Sequence, residues 1–223
     1  MRALPRDYAH ISFFLYATMA KYISVAVEGT IGCGKTTLLK QLALLDSSIN
    51  VLCEPIEAFC NYKQHKPLSL AYSEPKKYTC ATQLHIIREL DTYYSSHLSP
   101  GCVNVTERCL ASAEPFINAH TKMGYLSEFE KSLLTDVARE AGQPYYVKKY
   151  FFIECPPAIT LQRIVRRARV EERLVDPSFI YELNECYQQY IKHIVSVRGD
   201  HCVHVAAHDS LDLPRTLLTF LNG

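Results

Sequence analysis

An α/β fold, with a parallel sheet of about five strands flanked by helices, is predicted by three features of this 223-residue sequence. From Tyr22 onward, short apolar runs of strand length alternate with longer amphipathic stretches, the pattern of parallel strands joined by crossover helices. A glycine-rich loop separates the first such strand from the first such helix. The composition, 48% apolar and 21% charged, belongs to a globular chain with a sizeable core and not to a disordered or membrane-embedded one.

Tyr22 to Val27 is a near-continuous apolar run, as expected of a strand covered on both faces. Lys35 to Leu45 carries Leu38, Leu39, Leu42 and Leu45 at helical spacing. Asn50 to Cys53 reads as a second strand, and Val103 to Thr106 as a third after the turn Ser99-Pro100-Gly101. Tyr150 to Cys155 reads as a fourth, stopped by Pro156-Pro157, and His201 to Ala206 as a fifth after Gly199-Asp200. Helices are predicted over Lys76 to His97, Ser127 to Ala141, Ala158 to Arg173, Pro177 to Val197 and Pro214 to Leu221, with Gly142 and Gly199 as stop signals. Without a repeat, low-complexity tract or linker, residues 21–223 are expected to form one domain, preceded by an extension, 1–20, of unassigned role.

Lys and Arg (24) balance Asp and Glu (23) to a net charge of +1, so the chain has no overall field for nucleic acid or an anionic membrane, and neither is an expected partner. Any anion must be held locally. The nine cysteines lack C-x-x-C pairs and zinc-ligand spacing; they read as small buried hydrophobes of a reducing compartment. A cytoplasmic protein is expected, in the host cytoplasm if virus-encoded. Ile11 to Ala20 is too short to span a bilayer before Lys21, while Arg2 and Arg6 leave a mitochondrial alternative. Met19 stands just before the first strand, so the leading segment can equally be dispensable.

The segment Gly29-Thr30-Ile31-Gly32-Cys33-Gly34-Lys35-Thr36 fits G-x-x-x-x-G-K-[ST] in the required context of strand before and helix after. Glycines let successive backbone N–H groups and the helix N-terminus approach phosphate oxygens. Lys35 adds a positive charge for the outer phosphates, and the Thr36 hydroxyl suits an accompanying Mg²⁺. A triphosphate site is therefore predicted, without deciding among switch, motor, hydrolase and transferase. The third strand ends in Glu107-Arg108, which suits either a metal and a transferring phosphoryl group or a surface ion pair. Arg163, Arg166, Arg167, Arg169 and Arg173, with Glu171 and Glu172, give a local charge of +3 within eleven residues. Arg163 and Arg167 share a helical face and can close over phosphates as a lid; a solvated charged helix is the other reading.

Together these residues resemble the deoxynucleoside kinase family, the group with deoxycytidine kinase, mitochondrial thymidine kinase, the broad-specificity insect enzyme and virus-encoded thymidine kinases. The resemblance covers residues 22–195. It runs through Glu28 to Thr37, Glu54-Pro55, Tyr72 with Glu74-Pro75-Lys76-Lys77-Tyr78, Gln83, Glu107-Arg108 and the segment from Arg163 to Glu172. It implies a P-loop kinase fold with an arginine-rich lid, ATP as phosphate donor, Mg²⁺ as cofactor and a homodimer; the helices Lys76 to His97 and Ser127 to Ala141 can supply the interface or equally bury their apolar stripes inside one subunit. Carried over residue by residue, it implies Glu54 as the base for the nucleoside 5′-hydroxyl, with Arg108 orienting Glu54 and Lys35 on the phosphates. The loop from Gly29 to Thr37, with Arg163, Arg167 and Arg169, would hold ATP, and Thr36 and Glu107 the metal. Tyr72 and Glu172 would hold the sugar 3′-hydroxyl, and Gln83 the base edge.

Two departures from the family pattern bear on the base. Ala113 stands where deoxycytidine-selective members carry an acid, and Leu90 where they carry Arg, so the pocket is expected to admit the thymine methyl. The ring that stacks on the base is matched by Ile117, with Phe116 beside it, and Phe59 stands where relatives often have Trp, which this chain lacks altogether. The expected activity is phosphorylation of a deoxynucleoside 5′-hydroxyl, thymidine or deoxypyrimidines broadly. A nucleoside monophosphate kinase and a non-catalytic assembly subunit of the same fold are the alternatives.

Overall fold

The computed structural model describes residues 21–223; the extension 1–20, with Ile11 to Ala20 and Met19, lies outside the described residues. Strand β1 (Lys21–Glu28) leads through the glycine loop into helix α1 (Lys35–Leu45) and then β2 (Asn50–Leu52). Helices α2 (Ile56–Cys60), α3 (Pro67–Ser73) and α4 (Pro75–His97) follow, then β3 (Asn104–Glu107), α5 (Ala113–Lys122) and α6 (Glu128–Gly142). The chain continues with β4 (Tyr145–Glu154), α7 (Pro157–Arg167), α8 (Pro177–Arg198), β5 (Val203–Ala207) and α9 (Leu213–Asn222).

The five strands form one sheet in the order β2-β3-β1-β4-β5, and every neighbouring pair is parallel. Side chains alternate across it: Phe151 and Ile153 of β4 pack with Val25, Val27, Leu38, Leu39, Leu42 and Leu217 on one face. Tyr150 and Phe152 turn to the other, against Leu183, Tyr187 and Tyr190 of α8 and Leu134 of α6. Because β1 leads to β2 on one side of the central pair and β3 leads to β4 on the other, the connections leaving β1 and β3 diverge. That divergence opens a crevice outside the carboxyl ends of the central strands, where open α/β sheets bind ligands.

The predicted five-strand sheet is present, with differences that have local causes. Strand β4 begins at Tyr145, five residues before the expected start, because its first half alternates buried Val147 with more exposed Tyr146 and Lys148 and carries no apolar run. Gly142 lies in the last turn of α6 with Gln143 helical after it, whereas Gly199, at φ 79°, does end α8. The helix expected to run to Arg173 stops at Arg167: Ala168 takes a left-handed φ of 53°, and Val170–Glu172 form a separate 3₁₀ turn. Helices α2, α3 and α5 were not expected; the first two are five and seven residues long, and α5 carries a proline within its first turn. No helix among the described residues is long and apolar enough to cross a membrane.

Candidate active site

A cavity of about 650 Å³ opens at the carboxyl ends of β1, β2 and β3. Its inner end is the glycine loop, whose Gly29, Gly32 and Gly34 have φ values of 142°, 76° and 115°. A Cβ on Gly29 would stand 2.6 Å from the carbonyl oxygen of Ile153, so both its conformation and its surroundings demand glycine. Ile31, Gly32, Cys33, Gly34, Lys35, Thr36 and Thr37 line the cavity, with Gly29 and Thr30 behind them. Lys35 Nζ, almost fully buried, donates to the carbonyls of Thr30 and Gly29 at 3.0 and 3.2 Å and lies 3.9 Å from Glu107 Oε1.

Glu107 closes β3 and organises its surroundings. The Thr36 hydroxyl donates to its carboxylate, 2.9 Å from each oxygen, and the Glu54 backbone N–H donates to Oε2 at 3.3 Å. Burial raises its pKa, with Glu54 adding to the rise and Lys35 and Arg108 opposing it. Arg108 follows in a left-handed conformation, φ 68°. Its N–H donates to the Val27 carbonyl at 2.9 Å, and its own carbonyl accepts from the Tyr94 and Thr106 hydroxyls, each at 2.7 Å. That turn aims a buried guanidinium back into the cavity. Its Nε lies 2.6 Å from Glu54 Oε1, Nη1 donates to the Tyr187 hydroxyl, and the guanidinium carbon sits 4.7 Å from the centre of the Phe116 ring.

The outer wall gathers Phe59, Tyr72, Gln83, Leu90, Ala113 and Phe116, together with His120 and Phe179. Desolvation, then the nearby Glu172 charge, pushes the Tyr72 hydroxyl pKa well up, so it stays a donor. Ile117 is the exception among the expected base contacts: it is 1% exposed, packs into the core and is absent from this wall, where Phe116 stands instead. The arginine segment forms the remaining side. Arg163 Nη1 donates to the Cys33 and Gly32 carbonyls at 2.8 and 3.3 Å, and Nη2 lies 3.1 Å from His208 Nδ1. Arg167 grips Glu172, with Nη2 at 2.6 Å from both carboxylate oxygens and Nε at 3.1 Å from Oε2; Arg169 reaches the same carboxylate at 3.4 Å. All of these line the cavity.

Sequence reasoning assigned no role to four further participants. Glu28 is fully buried at the end of β1 and accepts from the Cys109 N–H at 3.0 Å and from the Ser112 hydroxyl, while its Oε2 has no partner among the described residues. Burial raises its pKa, against the pull of Arg108. An acid closing an apolar strand next to the glycine loop was the available signal. Tyr187, His120 and His208 had none, because their helix faces and loops meet the site only in three dimensions.

No group of three or more His, Cys, Asp or Glu that could hold a metal by itself occurs among the described residues. The Thr36 hydroxyl and the Glu107 carboxylate are nevertheless hard oxygen donors side by side, and they fit Mg²⁺, which takes one or two protein oxygens and completes its shell with phosphate and water.

A glycine loop shaped for phosphate, a half-buried carboxylate paired with a buried arginine and an apolar compartment ending in an amide define a phosphotransferase with a small-molecule acceptor. The family model described as deoxynucleoside kinase matches residues 25–216, and the chain belongs to that family and is a kinase. It is 28% identical over 173 residues to the thymidine kinase of Ictalurid herpesvirus 1 (strain Auburn), covering 74% of this chain and 72% of that protein. It is 24% identical over 173 residues to mitochondrial thymidine kinase 2 of Homo sapiens, covering 75% of this chain and 63%, under two thirds, of that one. Among solved structures, deoxyadenosine kinase from M. mycoides with dCMP and a flexible dCDP bound superposes with a TM-score of 0.73 at 18% identity, over 89% of this chain and 97% of that one. At that identity the likeness concerns the fold.

Proposed function

We propose that this chain transfers the γ-phosphate of ATP to the 5′-hydroxyl of a deoxypyrimidine nucleoside, thymidine foremost. The observation that carries this reading is the Glu54–Arg108 pair, at 2.6 Å, standing between the Lys35–Thr36–Glu107 cluster and the wall bearing Tyr72 and Gln83. The Glu54 carboxylate accepts the proton of the 5′-hydroxyl, whose oxygen bonds to the γ-phosphorus as the bond to the β–γ bridging oxygen breaks. Arg108 orients Glu54 and neutralises the phosphoryl group, with Lys35, Arg163, Arg167 and Arg169 around the phosphates. Thr36 and Glu107 would hold Mg²⁺, which would supply positive charge to the phosphates. Tyr72 and Glu172 take the 3′-hydroxyl, and Gln83 the base edge.

Uncharged Ala113 and Leu90 leave the base compartment without the charge pair that would reject thymine. Glu54 disfavours a monophosphate acceptor, since a carboxylate there repels a second phosphate. Residues 21–223 act as one cytoplasmic kinase unit and pair as a homodimer through α4 and α6, which leave Leu84, Leu133 and Phe129 exposed. Phe129→Glu is expected to shift the sedimentation coefficient from dimer to monomer.

The test is transfer from labelled Mg·ATP to thymidine, deoxycytidine, deoxyadenosine, deoxyguanosine and thymidylate, with Glu54→Gln alongside. Transfer to thymidine that collapses in the variant is expected. Transfer to thymidylate alone, or ATP binding with no transfer at all, overturns the reading.

A further inference from the structure

Gln83 of α4 and His120 of α5 stand together on the cavity wall, with the Gln83 side-chain nitrogen 3.4 Å from His120 Nε2. The imidazole is stacked on Phe179, ring centres 4.4 Å apart and planes within 16°, and its Nδ1 is buried without a partner among the described residues. A histidine's tautomer is ordinarily set by the bond its second nitrogen makes. Here Nδ1 makes none, so Nε2 is free to be donor or acceptor. Burial also pulls the ring's pKa down to about 3, so it is neutral near pH 7 and keeps that choice, whereas an imidazolium could only donate.

We propose that His120 is a specificity-determining positioning residue that hydrogen-bonds Gln83 in either amide orientation, and so lets one pocket read both 4-oxo and 4-amino pyrimidine deoxynucleosides. The inference rests on the nucleoside reading of the cavity. An amide meets a base edge with one N–H and one oxygen lone pair side by side. A 4-oxo pyrimidine offers an acceptor at position 4 and a donor at N3; a 4-amino pyrimidine offers the reverse. The amide must therefore turn by half a rotation between them. That rotation exchanges the group facing His120, a second N–H in one case and a second oxygen lone pair in the other. The Nδ1–H tautomer accepts the first and the Nε2–H tautomer donates to the second. One nitrogen loses a proton as the other gains one, so the charge is unchanged. A partner fixed in one role would leave a buried polar group unpaired for one of the two bases, a penalty that discriminates by about tenfold or more.

The experiment compares kcat/KM for thymidine and deoxycytidine in the wild type, His120→Phe and His120→Gln, with KM for ATP as control. Phenylalanine keeps a ring on Phe179 and removes both nitrogens; His120→Leu serves if that variant does not fold. The wild type is expected to use both nucleosides within about tenfold of each other, and His120→Phe to shift their ratio by about tenfold at unchanged KM for ATP. His120→Gln, whose amide can also turn over, is expected to restore the ratio. Parallel loss for both nucleosides in His120→Phe overturns the inference, as does a wild type that prefers one by more than about a hundredfold. In both cases the kinase reading stands. A wild type that phosphorylates no nucleoside overturns the reading of the cavity and this inference with it.

Discussion

Lys35, Glu107 and Arg108, buried, and half-buried Glu54 stand at strand ends and a helix N-terminus, and backbone groups hold several of them: the Val27 carbonyl takes the Arg108 N–H, and the Glu54 N–H meets Glu107. Arg167, Arg169 and Glu172 instead meet one another across a 3₁₀ turn, with the two arginines about a third exposed. The same charges serve one cavity from two kinds of support. Strand-end groups cannot move without disturbing the sheet, whereas the arginine segment is tied by side-chain pairs that solvent weakens. A phosphotransferase needs both: fixed geometry where the bond forms, and adaptable charge where a substrate must enter.

The sharpest way to break this contrast is Glu54→Gln, which keeps an oxygen toward Arg108 but removes the base. Turnover is expected to fall by about a thousandfold in steady-state transfer. A fall of less than tenfold would mean that the rigid cluster binds and does not catalyse. Next, Gly29→Ala drives a Cβ to 2.6 Å from the Ile153 carbonyl and 2.8 Å from Cys33 Sγ, and is expected to cost about 3 kcal/mol in denaturant unfolding. Gly124→Ala, at φ 68° with nothing within 4 Å, isolates the conformational part at about 1 kcal/mol.

Acid separates the buried groups by sign. Folded His120 titrates near 3 and the unfolded side chain near 6.5, so between those values the folded state binds fewer protons and stability falls as pH drops. From pH 7 to pH 5 that loss is about 2 kcal/mol, and it should vanish in His120→Gln. Glu28 and Glu107 have folded pKa values above the ordinary 4.5, so their folded forms bind more protons and they lose stability as pH rises through that range. The smallest stability effect belongs to the adaptable side: Glu172→Ala is expected to change unfolding free energy by less than about 1 kcal/mol while raising KM for the nucleoside. A larger stability loss would place that segment with the rigid half.

This division also explains what could be read from the sequence. The glycine loop, Lys35, Thr36, Glu54 and Glu107-Arg108 are contiguous motifs at strand ends, where local geometry and the sheet dictate direction. The outer wall depends on how helices are rotated. Phe116 and Ile117 are neighbours in the chain but about 100° apart around α5, enough to exchange cavity for core. Glu28, Tyr187 and His120 reach the site through contacts 79 to 84 residues away in sequence, or through a helix, α5, that a proline in its first turn concealed. The long arginine helix was overestimated because nothing in its composition marks Ala168 as a break.

Ala168 holds a backbone conformation that costs a residue with a Cβ about 1 kcal/mol, and the Arg167 and Arg169 contacts to Glu172 lie on both sides of it. The bend is thus a spring that the charge pairs span, while the Ala168 N–H closes the helix on the Ile164 and Val165 carbonyls. A polyphosphate that drew those guanidiniums away would remove the contacts that span the bend, and the torsion at Ala168 would then favour unbending. Arrival of the anion would thereby be converted into motion of the segment with no hinge glycine, and Ala168→Gly would slacken the spring without touching a single charge.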